Sequence, residues 1–228
     1  KNWNFIEQCV SIGINNWLVH PFEPDYLMVE GLVSRPNREK NEWLEKNILK
    51  YSEKTSSKIL LKDVGCGVID RSLISSLINQ KCFILPKLSI PGRTNVGLEK
   101  AVRLSGALGV TSKFPAFARV SVTLGISMAV HLGIKNVVLC GVDLNDGCYF
   151  WEDEDFRPNR NVNGLPVTGQ QSTSIHSTVD PSVNRVTADR AILSFCNVFQ
   201  QFHGIRTYVE SEGSRLNGKL PFFNWTNL

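Results

Sequence analysis

Between Arg119 and Asp143 the chain reads RVSVTLGISMAVHLGIKNVVLCGVD, an order that few folds accommodate. Met128, Ala129 and Leu132, with small residues around them, give a helix a packing face, and Gly133 ends it. Asn136 to Cys140 is then a short, nearly continuous apolar run, the pattern of a strand covered on both faces. Gly141-Val-Asp143 follows at the carboxyl end of that strand, where open α/β sheets bind ligands. Gly141 would let a ligand approach the backbone. Asp143 either takes part in that site or caps the next turn.

The rest of the chain carries the same alternation. Lys1 to Gln8 reads as a short amphipathic piece before a strand at Cys9–Ile14, with Asn15 at its carboxyl end. Further strands are expected at Pro24–Glu30, Lys58–Leu61, Lys81–Leu85 and Ile205–Val209. Helices are expected at Glu39–Tyr51, at Asp70–Asn79, and at Thr187–His203, where Gly204 stops the last. Pro86–Phe117 reads as a long loop with a short helix near Leu98–Leu108. Strands that alternate with helices imply α/β class and a mostly parallel sheet flanked by helices. Neither an internal repeat nor a linker interrupts the pattern, so one domain over residues 1–228 is expected. Asn15 and Asp143, both at strand ends, would then share one edge of the sheet.

Composition narrows the function classes. At 228 residues the chain can bury a sizeable core, and 42% hydrophobic with 20% charged residues is the balance of a globular protein. The net charge of +4 comes without any Lys/Arg-rich run, so nucleic acid is not an expected partner. The mild excess suits an anionic ligand or, peripherally, an anionic membrane surface. Six scattered cysteines form no C-x-x-C pair, which disfavours zinc, and their apolar settings suit reduced thiols in the cytoplasm. No apolar run reaches transmembrane length.

Leu144–Asn184 lacks a strong period but holds Tyr149, Phe150 and Trp151, so an active-site lid is expected there. Near its end, His176 sits in the polar run Thr173–Thr178, free to titrate near neutrality as a base or to stand as a surface residue. His20, His131 and His203, near element ends, read as structural. Asp153-Glu-Asp155 is formally a D-x-D pair but sits within a loop, where a solvated acidic patch is the simpler reading. P-loop, G-x-G-x-x-G, H-E-x-x-H and G-x-S-x-G patterns are all missing from the sequence.

Several of these stretches, in this order, resemble bacterial sialyltransferases of glycosyltransferase family 42. Val10-Ser-Ile-Gly-Ile-Asn15 is similar to the strand that ends in the family's nucleotide-binding asparagine. Ser121 to Leu144 resembles its serine-bearing helix start followed by L-G-x-K-x-[IV]-x-L-x-G-[IV]-D. Gly147-Cys-Tyr149 resembles the segment with a phosphate-binding tyrosine, and His176-Ser177 the catalytic histidine and its neighbour. Asp189-Arg-Ala-Ile-Leu and Gly204-Ile-Arg-Thr-Tyr-Val resemble the closing helix and strand. The family's G-x-G-P-S-L opening loop would fall just upstream of Lys1, and its second phosphate-binding tyrosine falls near Asn145.

The resemblance implies a GT-A-like Rossmann domain with a lid over about 144–184. It implies an inverting transfer of sialic acid, or a related keto-sugar such as Kdo, from a CMP-sugar to a glycan or glycolipid acceptor. His176 and Tyr149 would be catalytic, and Asn15, Arg119, Ser121, Gly141, Asp143 and Asn145 would hold the donor. No metal or cofactor is implied. The cellular setting would be bacterial lipopolysaccharide or capsule synthesis, in the cytoplasm or at the periphery of the inner membrane, with self-association left open. Three other functions stay open beside it: a pterin pyrophosphokinase with Mg²⁺ on Asp143 and Asp146, a metal-dependent transferase using Asp153 and Asp155, and a non-catalytic Rossmann-like module.

Overall fold

A computed structural model describes residues 3–29, 47–48, 50–62, 82–142, 144–145, 178–182 and 184–227. These fall into two compact units, one holding the described residues up to Pro86 and the other those from Lys87 on. Within each unit, every paired strand is parallel to its neighbour. With helices between the strands, this is an α/β protein.

The first unit opens with a single helical turn, α1 (Trp3–Ile6), and continues into β1 (Ile12–Ile14). The strand is shorter than the sequence suggests, because the amides of Gln8 and Cys9 turn back onto the carbonyls of Phe5 and Ile6. A 3-10 turn, Asn15–Val19, leads to β2 (Tyr26–Val29). β3 (Lys58–Lys62) and β4 (Cys82–Leu85) complete a sheet of order β1-β2-β3-β4. Residues 50–54 are helical and lie in the crossover between β2 and β3, the kind of connection that a parallel pair needs. Leu27, Val29, Ile48, Ile59, Leu61 and Cys82 form the core, with Trp17, Leu18 and Tyr51 packed against it. A side chain at Gly13 would lie 2.7 Å from the Trp17 ring and 2.9 Å from Pro24, so only glycine allows the indole its seat. Two carboxylates tie the loops. Asp25 accepts from the Ser11 amide and hydroxyl, both at 2.7 Å, and Glu23 accepts from Thr55, Ser56 and Ser57 just before β3.

The second unit begins with β5 (Leu88–Ser89), which pairs with β6 (Ala116–Phe117). Between them runs α2 (Asn95–Ala107), capped by the Thr94 hydroxyl, which accepts from the Gly97 amide at 3.1 Å. The helix expected near Leu98–Leu108 is α2, and the long loop expected around it holds two short strands besides. α3 (Ser121–His131) ends through Leu132 and a left-handed Gly133. Its small polar residues serve the backbone beside it. The Ser127 hydroxyl accepts from the Ala116 amide at 2.7 Å, and the Thr123 hydroxyl from the Ala118 amide at 3.1 Å. Thr123 and Ser127 lie one turn apart, so one helix face satisfies the N–H groups of β6 and its exit.

β7 (Asn136–Leu139) pairs with β8 (Arg206–Val209), Val138 opposite Tyr208. β7 is less covered than its composition predicts: Asn136 is exposed and Val137 and Val138 are half-buried. α4 (Ala188–His203) packs on α2 and α3 and ends at a left-handed Gly204. Phe195, Phe199, Ala191, Ile192 and Val198 supply its buried face. Gly106 sets the α2–α4 approach, since a β-carbon there would stand 2.8 Å from the Phe202 ring and 2.9 Å from Val198. Among the described residues, no helix is long and apolar enough to cross a membrane.

Candidate functional site

In each strand pair of the second unit the strands run parallel and so end on the same side. β6 runs through Ala118 and Arg119 into the start of α3. After α3 turns at Gly133, β7 runs back to Gly141. Val120, Val122, Val142 and Leu144 accordingly pack against one core cluster. The loop after β7 is pinned to the loop after β8 at three points. The Glu210 amide donates to the Leu139 carbonyl at 3.3 Å, the Ser214 hydroxyl to the Val142 carbonyl at 2.9 Å, and the Asn145 side-chain amide to the Gly213 carbonyl.

Four of the residues expected to hold the donor are described in the second unit, two at the exit of β6 and two after β7. Arg119 is exposed and left-handed at φ 64°, and its guanidinium donates to the Asn184 side-chain carbonyl. Ser121 is the first residue of α3 and is buried, 7% exposed. The residue before it, Val120, carries no polar side chain to cap the helix, so the positive end of the α3 dipole lies beside Arg119. Gly141 is left-handed at φ 65°, and nothing lies within 4 Å of where its β-carbon would be. The backbone angle, not a crowded neighbour, therefore requires the glycine. Leu144, also left-handed at φ 61°, keeps the loop tightly turned.

Asn145 is exposed, and its amide serves as a clip between the two loops. Asn15 belongs to the first unit, where it follows β1 at φ 57° and opens the 3-10 turn. Asp143, Tyr149 and His176 lie outside the described residues, as do Asp146, Asp153, Asp155 and most of the expected lid.

Several partners in the second unit leave no trace in the local sequence. Asn184 holds Arg119 from 65 positions away, and Ser214 fixes the turn after β7. Asp189, in the first turn of α4, is buried and has Lys219 at 3.7 Å and Arg215 at 3.8 Å. Burial alone would raise its pKa. The Thr187 hydroxyl, the Arg190 amide and the two cations outweigh burial and hold the carboxyl below the usual aspartate value. An acidic residue at a helix start, with basic residues just past the last strand, is the one sequence signal for that cluster.

The remaining histidines sit in structural contacts where the structure gives them. His20 stacks on Trp17 at 4.2 Å and accepts from the Phe22 amide at 3.0 Å. His203 meets the Thr111 hydroxyl at 2.8 Å. Among the described residues, no group of three or more His, Cys, Asp or Glu side chains is placed to hold a metal ion. Compared with family models, with curated proteins and with solved structures, the chain matches none.

Proposed function

We propose that the chain is an inverting, metal-independent glycosyltransferase that moves an acidic keto-sugar, sialic acid or Kdo, from its CMP ester to a glycan hydroxyl. The observation that carries this reading is the exposed Arg119, held by Asn184 just before the N-terminus of α3, together with the open Gly141 turn after β7 in the same unit. A phosphate monoanion suits such a place, because backbone N–H groups and the helix dipole favour negative charge and a guanidinium adds a fixed cation. Gly141, in an open left-handed turn, leaves room for a nucleoside to approach the backbone.

The chemistry is compatible with these groups. The acceptor oxygen forms a bond to the anomeric carbon while the bond to the phosphate oxygen breaks, and CMP leaves with the electron pair. The donor carries one phosphate, so the leaving group develops less charge than a diphosphate, and cationic and N–H donors can stabilise it. By the family resemblance, His176 takes the acceptor proton and Tyr149 assists the departing phosphate. Transfer from CMP-sialate or CMP-Kdo to a glycan acceptor tests the reading. His176→Ala should lower turnover by about 10²–10⁴-fold, the usual loss for a general base, with CMP affinity nearly unchanged. Transfer at the wild-type rate by that variant would remove His176 from the mechanism, and no transfer from either donor by the wild type would overturn the proposal.

A further inference from the structure

α4 presents Arg190, Ser194 and Asn197 along one stripe, at positions separated by four and three residues. The first turns of α2 present Asn95 and Glu99 to the same space, and Lys219 from the segment after β8 lines it too. Together these residues line a groove of about 540 Å³, within the range of small-ligand sites. None of Arg119, Ser121, Gly141 or Asn145 lines this groove. Its walls are held in place. The Thr187 amide donates to the Asn95 side chain at 3.2 Å and ties the start of α4 to the start of α2, while buried Asp189 anchors Lys219 at 3.7 Å.

The chemistry of the lining is unusual for a helix–helix groove. Apolar pockets suit apolar ligands, but here six polar side chains join the apolar Val96 and Leu193 around the space, the mixed lining that a sugar's hydroxyls and C–H faces need. Asp189 has two cations beside it, Arg215 and Lys219, and offsets one of them. The exposed guanidinium of Arg190 adds a further positive charge. Arg190 and Lys219 together can hold one anionic group, with the planar fork of arginine suited to carboxylate or phosphate oxygens. Asn95, Ser194 and Asn197 both donate and accept, as vicinal hydroxyls require, and Glu99 can only accept, as from a hydroxyl.

We infer that this groove binds a sugar bearing a single anionic group, a sugar acid or a sugar phosphate. The inference goes beyond the proposed transfer reaction and does not depend on it. Calorimetric titration of the whole chain with glucuronate, glucose 6-phosphate and glucose tests it. At least one of the two anions should bind about tenfold or more tightly than glucose, and which one binds identifies the anionic group. Arg190→Gln should lower that affinity about tenfold, the equivalent of one charge-assisted contact, and Asn197→Ala should also weaken it. Both residues are exposed, so an unchanged melting temperature will show that the variants are folded. Binding of neither anion, binding of glucose equal to the anions, or anion binding indifferent to Arg190→Gln would overturn the inference. The CMP response should be the same in Arg190→Gln as in the wild type. A chain that binds the sugar anion without responding to CMP would therefore sink the donor proposal and keep this one.

Discussion

The Ser214 hydroxyl donates to the Val142 carbonyl at 2.9 Å and accepts from the Leu216 amide at 3.2 Å, so one buried side chain joins the loop after β7 to the segment after β8. Ser214→Ala leaves both backbone groups without this partner. Each buried polar group so stranded costs on the order of 1–3 kcal/mol. The variant should melt lower than the wild type, and because Val142 follows Gly141 directly, its response to CMP should shrink as well. Chemical denaturation with and without CMP checks both, and a variant as stable as the wild type would show that the loops are held by other bonds.

Glu23 gives the first unit a dependence on acid. The Thr55 hydroxyl does most to hold its pKa below the ordinary 4.5, partial burial opposes this, and bonds from Ser56 and Ser57 add to it. A carboxyl with a depressed folded pKa stabilises the fold above its unfolded pKa and loses that contribution as pH falls through the folded value. Stability should therefore fall below about pH 4.5, and Glu23→Gln should fall less steeply there while being less stable at pH 7. Urea midpoints between pH 3 and 7, taken at ~0.5-unit steps, will compare the two slopes, and equal slopes would refute the assignment.

His203 acts in a higher window. Burial lowers its pKa below 6.5, and the charges of His131 and Lys135 push the same way. A lowered histidine pKa means that the unfolded chain takes up the proton more readily, so the stabilisation is present above 6.5 and is lost as pH falls towards the folded value. His203→Gln should remove that part of the pH dependence. If the wild type and the variant lose stability in parallel below pH 6.5, the histidine is not the group responsible.

The helix–turn–strand unit at 119–143 was legible because a glycine ends the helix and an apolar run follows at once. α4 was legible for the same reason, with Thr187 before it and Gly204 after it. In the segment 86–117 only the helix was, expected near Leu98–Leu108 and found at Asn95–Ala107. The strands there have two residues each, too few for a period, and Gly97 and Gly106 weaken the helical signal of α2. Gly106 is explained only by Phe202 and Val198 on another helix, a tertiary fact that no local pattern carries. The same holds at the candidate site. A strand-end glycine could be read from its position, but Arg119 paired with Asn184, and Asn145 used as a loop clip, depend on residues 65 and 68 positions away.

The proposed function requires that Arg119, Ser121 and Gly141 take a nucleoside monophosphate. The most direct test is the melting temperature of the full chain with CMP in the presence of EDTA. At a CMP concentration about 100 times Kd, mass action stabilises the fold by about 2.7 kcal/mol, which for a chain of this size raises Tm by roughly 5–10 °C. That rise is expected without metal, and its loss is expected in Arg119→Gln. No shift with CMP, together with one given only by ATP and Mg²⁺, would contradict the proposal.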